Sequence, residues 1–359
     1  MRLQKLTLQD WRNIPGAVIE PGPELNVFCG ENGQGKTNLL EAVWMLTGGK
    51  SFRGSKDAEL IRRGADFSVI DAEAECGERL QTFRLTVGAA GTARPGRTAR
   101  LNGVDQGRAA ALAGTFTAVV FDPDHLSLIK GSPAGRRRFL DAALCQLYPG
   151  YLTALRRYTR ILAQKNALLK QYARLPAAAE LLEVYDRQLA QFGEEVTRRR
   201  SEYLQALTPM AVENYRQISQ GRETLSLAYK PSFDERGLLA AYERLRGGEL
   251  RAGFCLAGPH REDVEVLLDG QPAKVFGSQG QQRSAVLALK LAEATQAANV
   301  TGEHPVMLLD DVLSELDDAR QNYLLTRMRD KQVFVTACDS AAFGRAQGRV
   351  FTLKGGAVL

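Results

Sequence analysis

The sequence predicts an α/β fold assembled from both ends of the chain, with a helical insertion between them. Three observations predict it. First, Gly30-Glu31-Asn32-Gly33-Gln34-Gly35-Lys36-Thr37 follows a short apolar run, Leu25 to Cys29, and precedes a helical pattern, Asn38 to Leu46. Second, another apolar run, Val306 to Leu309, ends in Asp310-Asp311, 273 positions after Thr37. Third, the stretch between them, from about 134 to 220, is long, charged and helical in its spacing. The 359 residues are 44% hydrophobic and 25% charged, which excludes a disordered, collagenous or disulfide-scaffold chain.

In chain order, residues 1–120 read as strands and turns around one early helix. Phe67 to Ala74 and Leu80 to Val87 read as strands flanking a turn at Gly77, Asn102-Gly103 is a two-residue hairpin signal, and Thr117 to Phe121 is a strand stopped by Asp122-Pro123. Leu152, Leu155, Tyr158, Ile161 and Leu162 then recur at helical spacing. Leu175-Pro176 interrupts them, because a residue before proline is pushed out of the helical region. A second helix carries Leu181, Leu182, Tyr185, Leu189, Phe192 and Val196, so an antiparallel helical arm is expected, about 38 Å long for about 25 residues at 1.5 Å each. Strands return at Val264 to Leu268 and, after Asp269-Gly270, at Ala273 to Phe276. A helix from about Gln281 to Ala298, the Val306 strand, a helix from about Asp317 and a strand from Val333 to Ala337 complete the pattern. The expected organisation is 1–120 and 251–359 as two halves of one lobe, a parallel-stranded P-loop sheet with an antiparallel subdomain, and 121–250 as the helical insertion.

Gly30 to Thr37 is G-x-x-x-x-G-K-[ST]. Glycines let backbone N–H groups turn inward onto phosphate oxygens, and the helix that follows offers its N-terminal partial charge to the same anion. Lys36 is expected on the β- and γ-phosphates of ATP and the Thr37 hydroxyl on Mg²⁺. Asp310 reads as the acid of the Mg²⁺ shell and Asp311 as the group that polarises an attacking water, although two acids after a strand can also cap a helix. Ser278-Gln279-Gly280-Gln281 stands at the start of an apolar helix and makes a second anion seat. The P-loop already serves the chain's own γ-phosphate. Ser278, Gly280 and Gln281 are therefore expected to meet phosphate across a dimer interface.

Lysine and arginine exceed acids by six, and the middle third holds most of the excess. Residues 130–174 carry ten basic side chains, among them Arg136, Arg137, Arg138, Arg156, Arg157 and Arg160, against one acid, Asp141. That density suits a polyanion such as nucleic acid, the plain alternative being a solvated helix face. Arg94, Arg97 and Arg100 in a Gly/Pro-containing loop carry the same two readings. The five cysteines lie far apart without a C-x-x-C, which excludes a disulfide framework or zinc hook. No run approaches the ~18 apolar residues of a membrane span, so no membrane partner and a cytoplasmic location are expected. Trp11 and Trp44 read as core, and His260 as a hydrogen-bonded turn residue with a DNA role as the alternative.

The P-loop, the Ser278 signature, the Asp310 strand and Ser314-Glu315-Leu316-Asp317 resemble the ABC-type ATPase heads of the SMC/Rad50 group. A more specific resemblance is to the RecF family of bacterial recombination mediators. It rests on Asp10-Trp11-Arg12-Asn13, on Lys130 to Pro133 with Arg136 to Asp141, on Gly258-Pro259-His260-Arg261, and on Ser278 to Arg283. The resemblance implies an ATP-dependent homodimer in which Ser278 contacts the partner's nucleotide, with slow, DNA-dependent hydrolysis acting as a switch. It implies binding to double-stranded DNA and single/double-strand junctions, RecO and RecR as partners, and RecA loading at gaps. These belong to recombinational repair, replication-fork maintenance and the SOS response. It also places Arg12 near the phosphates. Three departures stand out. The strand from Val333 to Asp339 lacks the histidine of transporter ATPases, Asp311 replaces their usual glutamate, and no glutamine marks a Q-loop. A Rad50-like nuclease tether would want a long coil and a metal hook, and a transporter subunit would want that histidine. Both are weaker readings.

Overall fold

The structure, a computed structural model, describes residues 1–93, 95–172, 175, 178–338 and 348–359, apart from the Leu126 side chain. Arg94, Arg174, Pro176 and Asp339, which figure in the expectations above, lie outside the described residues. The chain divides into two units, Met1–Ser127 with Val286–Leu359, and Leu128–Ala285.

The first unit begins with β1 (Arg2–Trp11), β2 (Ile14–Ile19), β3 (Leu25–Cys29) and α1 (Lys36–Met45). It continues with β4 (Phe67–Cys76), β5 (Arg79–Gly88), β6 (Gly96–Leu101), β7 (Val104–Arg108) and β8 (Ala118–Phe121). The second unit contains α2 (Pro133–Leu147), α3 (Pro149–Gln171), α4 (Ala178–Ile218), β9 (Leu225–Lys230), α5 (Gly237–Ala252), β10 (Asp263–Leu268), β11 (Gln271–Pro272) and α6 (Ala273–Phe276). The chain then runs through α7 (Gln279–Thr301), β12 (Val306–Leu309), α8 (Asp318–Arg327), β13 (Val333–Ala337), β14 (Gly348–Lys354) and β15 (Ala357–Val358).

Two six-stranded sheets build the first unit. One is antiparallel, in the order β2-β1-β4-β5-β6-β7. Its strands alternate buried and solvent-facing residues, as one covered face requires: Leu3, Leu6 and Leu8 of β1 and Ile70, Ala72 and Ala74 of β4 point inward. The other has the order β15-β14-β3-β13-β12-β8 and is parallel from β14 to β8. Every residue of β12 and of the edge strand β8 is buried, so both read as unbroken apolar runs. This is the parallel sheet with antiparallel subdomain expected of an ABC-type head.

In the second unit β9 pairs β10, and β10 pairs β11, all antiparallel. That pairing groups residues 251–285 with the helices, although the sequence suggests a boundary near 250. Two local expectations are corrected. Ala273 to Phe276 is one helical turn, not a strand, because Pro272 has no N–H to continue the ladder and pairing stops at Gln271–Pro272. The second arm helix is also longer than expected. α4 has 41 residues, about 62 Å, because it continues past the stretch facing α3 to pack on β9.

Buried charge organises this unit. Lys165, fully buried on α3, ion-pairs with Asp186 of α4 at 2.6 Å and Glu249 of α5 at 2.7 Å, over the Tyr242 ring. Arg200 of α4 pairs with Asp141 of α2 and donates to the Pro259 carbonyl. His260 therefore sits in a braced turn. The Tyr158 hydroxyl meets its Nδ1 at 2.6 Å and the Cys255 carbonyl meets its Nε2 at 3.2 Å. A carbonyl only accepts, so Nε2 carries the proton and Tyr158 donates to Nδ1. Burial first, then the nearby arginines, push the His260 pKa down to about 4. The folded value lies below the ordinary 6.5, so this contribution to stability is complete above about pH 6.5 and is lost as pH falls toward 4. Chemical denaturation at pH 7 and pH 4.5 is expected to show wild type losing about 2–3 kcal/mol more than His260→Gln over that interval. Equal losses would place the titration elsewhere.

Candidate nucleotide site and nucleic-acid surface

The carboxyl ends of β3, β13, β12 and β8 come out along one edge of the parallel sheet, where α/β sheets bind ligands. The P-loop leaves β3 and enters α1. Gly35 precedes the helix at φ +108°, and a Cβ there would lie 2.9 Å from the Asn13 side chain. Gly30, at φ +149°, leaves only 2.5 Å between such a Cβ and the Leu353 carbonyl. Gly30 thus excludes other residues on backbone and space alike, whereas Gly35 excludes them chiefly by its left-handed backbone, the Asn13 amide being a side-chain end that can shift. Lys36 folds over the loop, donating to the carbonyls of Gly30 and Glu31.

Thr37 and Asp310, 273 residues apart, are brought together here. The Thr37 hydroxyl donates to Asp310 Oδ1 at 2.9 Å, and the Thr336 hydroxyl, from β13, donates to the same oxygen at 2.9 Å. Asp310 is 7% exposed, and burial holds its carboxyl above the usual range despite both hydroxyls. A buried carboxylate next to a P-loop hydroxyl, whose direct side-chain partners among the described residues are neutral hydroxyls, fits Mg²⁺, a hard cation that takes oxygen ligands. Asp311 stands beyond the strand in the left-handed region, φ +50°, its N–H bonded to Thr336 Oγ1 at 2.8 Å and its side chain exposed. The Ser314 hydroxyl donates to its carbonyl at 2.7 Å.

Asp122 was missed in the sequence. It follows β8 in the register that sets Phe121 beside Leu309, so it flanks Asp310 at the same sheet edge. It is 7% exposed, and its charge contributes to raising the Asp310 pKa. Burial raises the carboxyl of Asp122 as well, but the His125 ring and N–H outweigh it and hold the group below its ordinary range. The available signal was an acid ending an apolar strand, the same pattern that marks Asp310.

Arg12, expected near phosphate, is held by Glu41. Nη2 donates to Oε1 at 2.7 Å, Nε to Oε2, and Nη2 also to Ser55 Oγ at 2.6 Å. Glu41 is fully buried, so Arg12 neutralises a charge inside α1. The Asp10-Trp11-Arg12-Asn13 motif therefore acts as a brace. Trp11 is core and donates to the Asn38 carbonyl at 2.8 Å, while Asn13 donates to the Gly33 carbonyl at 3.2 Å. Trp44 is core as well.

Ser278 precedes α7 and is exposed. It forms a reciprocal cap with Gln281: its N–H donates to Gln281 Oε1 at 2.6 Å, and its Oγ accepts from Gln281 N–H at 3.2 Å. Gln281 Nε2 also reaches Glu223 at 2.8 Å. The helix start is thus capped by its own residues, and an anion at the Ser278 N–H would have to displace the Gln281 oxygen.

The basic segment splits. Arg136 is 6% exposed, bidentate to Asp263 at 2.7 and 2.9 Å, with Nη1 on three carbonyls. It is a structural ion pair without a face for DNA. Arg137 is half-buried on the Glu262 carbonyl at 2.7 Å. Arg138, Arg156, Arg157 and Arg160 are exposed. In the first unit Arg97 pairs with Asp57 at 3.1 Å, while Arg100 is exposed. No helix among the described residues is long and apolar enough to cross a membrane.

A P-loop joined to a Walker B acid across a parallel sheet, with an antiparallel subdomain and an S-x-G-Q helix start, defines an ATPase head of the SMC and RecF class. The RecF/RecN/SMC N-terminal domain family model matches residues 2–354. The chain belongs to the RecF family. The DNA replication and repair protein RecF of Heliobacterium modesticaldum is 40% identical over 357 residues, covering 97% of this chain and 95% of that one. RecF of Symbiobacterium thermophilum is 40% identical over 376 residues, covering 100% and 98%. Among solved structures, the recombination mediator protein RecF with ATP, in the RecFOR pathway, superposes with a TM-score of 0.91 at 31% identity, covering 100% of this chain and 97% of that one. The Smc head of Pyrococcus furiosus bound to the C-terminal domain of ScpA, at TM-score 0.56 and 17% identity over 99% and 95%, shares the fold.

Asn at position 310 would keep both threonine hydrogen bonds and remove the buried charge. Calorimetry without nucleotide is expected to show Asp310→Asn melting about 1–3 °C above wild type, with the order reversed by ATP and Mg²⁺. A variant that melts lower in both conditions would refute the uncompensated charge.

Proposed function

We propose that this chain is an ATP-gated DNA-binding protein of recombinational repair and replication-fork maintenance, acting in the cytoplasm. The observation that carries the proposal is the hydrogen bond from Thr37 to buried Asp310, which joins the P-loop to the Walker B strand. ATP lies on the P-loop amides, with Lys36 on its terminal phosphates. Thr37 and Asp310 hold Mg²⁺, which when bound offsets charge on the phosphate oxygens. Asp311 positions the attacking water, and its short side chain suits slow turnover. The relatives' naming supports the repair role.

A second anion seat in a chain whose P-loop already serves one γ-phosphate supports an ATP-dependent homodimer, with Ser278, Gly280 and Gln281 facing the partner's nucleotide. Hydrolysis then separates the dimer and releases DNA. The reading extends, by relationship, to double-stranded and junction DNA, to RecO and RecR, and to RecA loading at gaps. The DNA-facing set narrows to Arg138, Arg156, Arg157 and Arg160, because Arg136 and Arg137 are engaged within the fold.

Analytical ultracentrifugation with ATP and Mg²⁺ is expected to show wild type as a dimer and Ser278→Arg as an ATP-binding monomer. Two monomers with ATP bound would reduce the chain to a one-subunit switch. If about four phosphates are neutralised, log K for duplex DNA should fall against log[salt] with a slope near −4. A flat response would remove the electrostatic argument.

A further inference from the structure

We propose that the groove between α3 and α4 holds one unpaired nucleotide of a single strand, with Arg160 on its phosphate and its base against the Arg157–Phe192 stack. This rests on the DNA-binding reading above and specifies what one part of that surface recognises. Arg157, Arg160 and Gln164 of α3 face Gln188, Gln191 and Phe192 of α4 across a groove of about 380 Å³.

The charge on α3 is unusual for this chain. Its 23 residues include Arg156, Arg157, Arg160, Lys165 and Lys170 and no acid. Lys165 turns inward to Asp186 and Glu249. No ion pair engages Arg156, Arg157 or Arg160 among the described residues. On the facing helix α4, by contrast, the surface arginines are matched: Arg187 with Glu183, Arg198 and Arg199 with Glu195 and Glu202, and Arg216 with Glu213. Arg160 lies four residues from Arg156 and three from Arg157, spacings at which like charges repel. A ligand with negative charge removes that repulsion.

The rest of the lining selects the kind of anion. The Arg157 guanidinium lies over the Phe192 ring, 5.3 Å from its centroid. Aromatic faces and guanidinium planes are the surfaces on which unstacked bases settle. Gln164, Gln188 and Gln191 are exposed, and each amide both donates and accepts. Phosphates of a duplex, or carboxylates of an acidic peptide, only accept and would leave the amide oxygens unused. A base edge presents donors and acceptors together, and only an unpaired base also frees its ring face for the Arg157–Phe192 stack, because in a duplex the faces are stacked on neighbouring pairs. The groove volume falls at the low end of small-molecule sites, which suits one nucleotide.

The test is fluorescence anisotropy of the full chain with ATP and Mg²⁺, using a labelled 20-nucleotide oligo-dT, a labelled duplex of the same length, and polyglutamate as competitor. Phe192 packs against the core around Tyr158 and Leu238, so Phe192→Leu keeps apolar volume while removing the aromatic face. The surface pair Gln188→Ala/Gln191→Ala serves as an independent variant. Phe192→Leu is expected to weaken oligo-dT binding by about 5-fold or more, from the usual worth of one stacked base, and the glutamine pair by about 5-fold, from the loss of hydrogen bonds to a base edge, while both leave duplex binding within about 2-fold. Equal effects on both DNAs, or none, would overturn the proposal and leave a simple phosphate surface. Duplex binding without oligo-dT binding by wild type would overturn this proposal alone, whereas binding of neither would overturn the DNA reading as well. Stronger displacement by polyglutamate than by unlabelled oligo-dT would reassign the groove to an acidic protein segment.

Discussion

The arrangement of the first unit depends on β3, a five-residue strand near the start of the chain that pairs in parallel with two strands near its end. Cys29 lies beside Ala337 and Thr352, and one strand further on Leu309 is flanked by Val335 and Phe121. Parallel strands cannot be joined by a tight turn, so this sheet exists only once distant segments have met. Register then places the P-loop, Asp310, Asp122 and Cys338 at one edge. Cys338 Sγ is 3.8 Å from Lys36 Nζ and 3.4 Å from Asn32 Oδ1. The nucleotide site is therefore a product of sheet closure.

Charges inside each unit follow one rule, that a buried ion needs a partner. Glu41 has Arg12, Lys165 has two carboxylates, Arg136 has Asp263, and Arg200 has Asp141. Asp310 departs from it: its direct partners are two hydroxyls, and its acidic neighbour Asp122 adds to the strain. Burying a carboxylate on two hydroxyls alone costs stability that an ion pair would have offset. The exposed arginines of α3 show the same logic at the surface, where mutual repulsion is retained in a helix free of acids.

The basic segment shows where linear charge counting stops being informative. Ten basic residues in 45 suggest one polyanion surface. The fold divides them, because α2 turns Arg136 onto β10 and α3 turns Lys165 into the unit's interior. Arg156, Arg157 and Arg160 remain outside. Helical periodicity could indicate that Lys165 shares a face with Tyr158 and Ile161. It could not indicate that Asp186 and Glu249 wait there to receive an ion.

Local chemistry made much of this protein legible in advance. The spacing of Gly30 to Thr37, the apolar runs before Asp310 and Asp122-Pro123, the Asn102-Gly103 hairpin and the alternation in β4 and β5 are short-range constraints carried by adjacent residues. The same holds for the family motifs around Arg12, His260 and Ser278, although their order in the chain does not reveal their contacts. Tertiary structure alone decided that Arg12 serves Glu41, that Asp122 flanks Asp310, that Thr336 shares the Asp310 oxygen, and that α4 runs 41 residues because β9 gives its second half a surface to cover. It also decided that Ala273 to Phe276 turns as a helix once Pro272 ends the ladder. Each of these outcomes depends on a partner tens to hundreds of residues away or on where pairing ends. A buried charge or a strand edge is settled by what closes over it, and that is a property of packing.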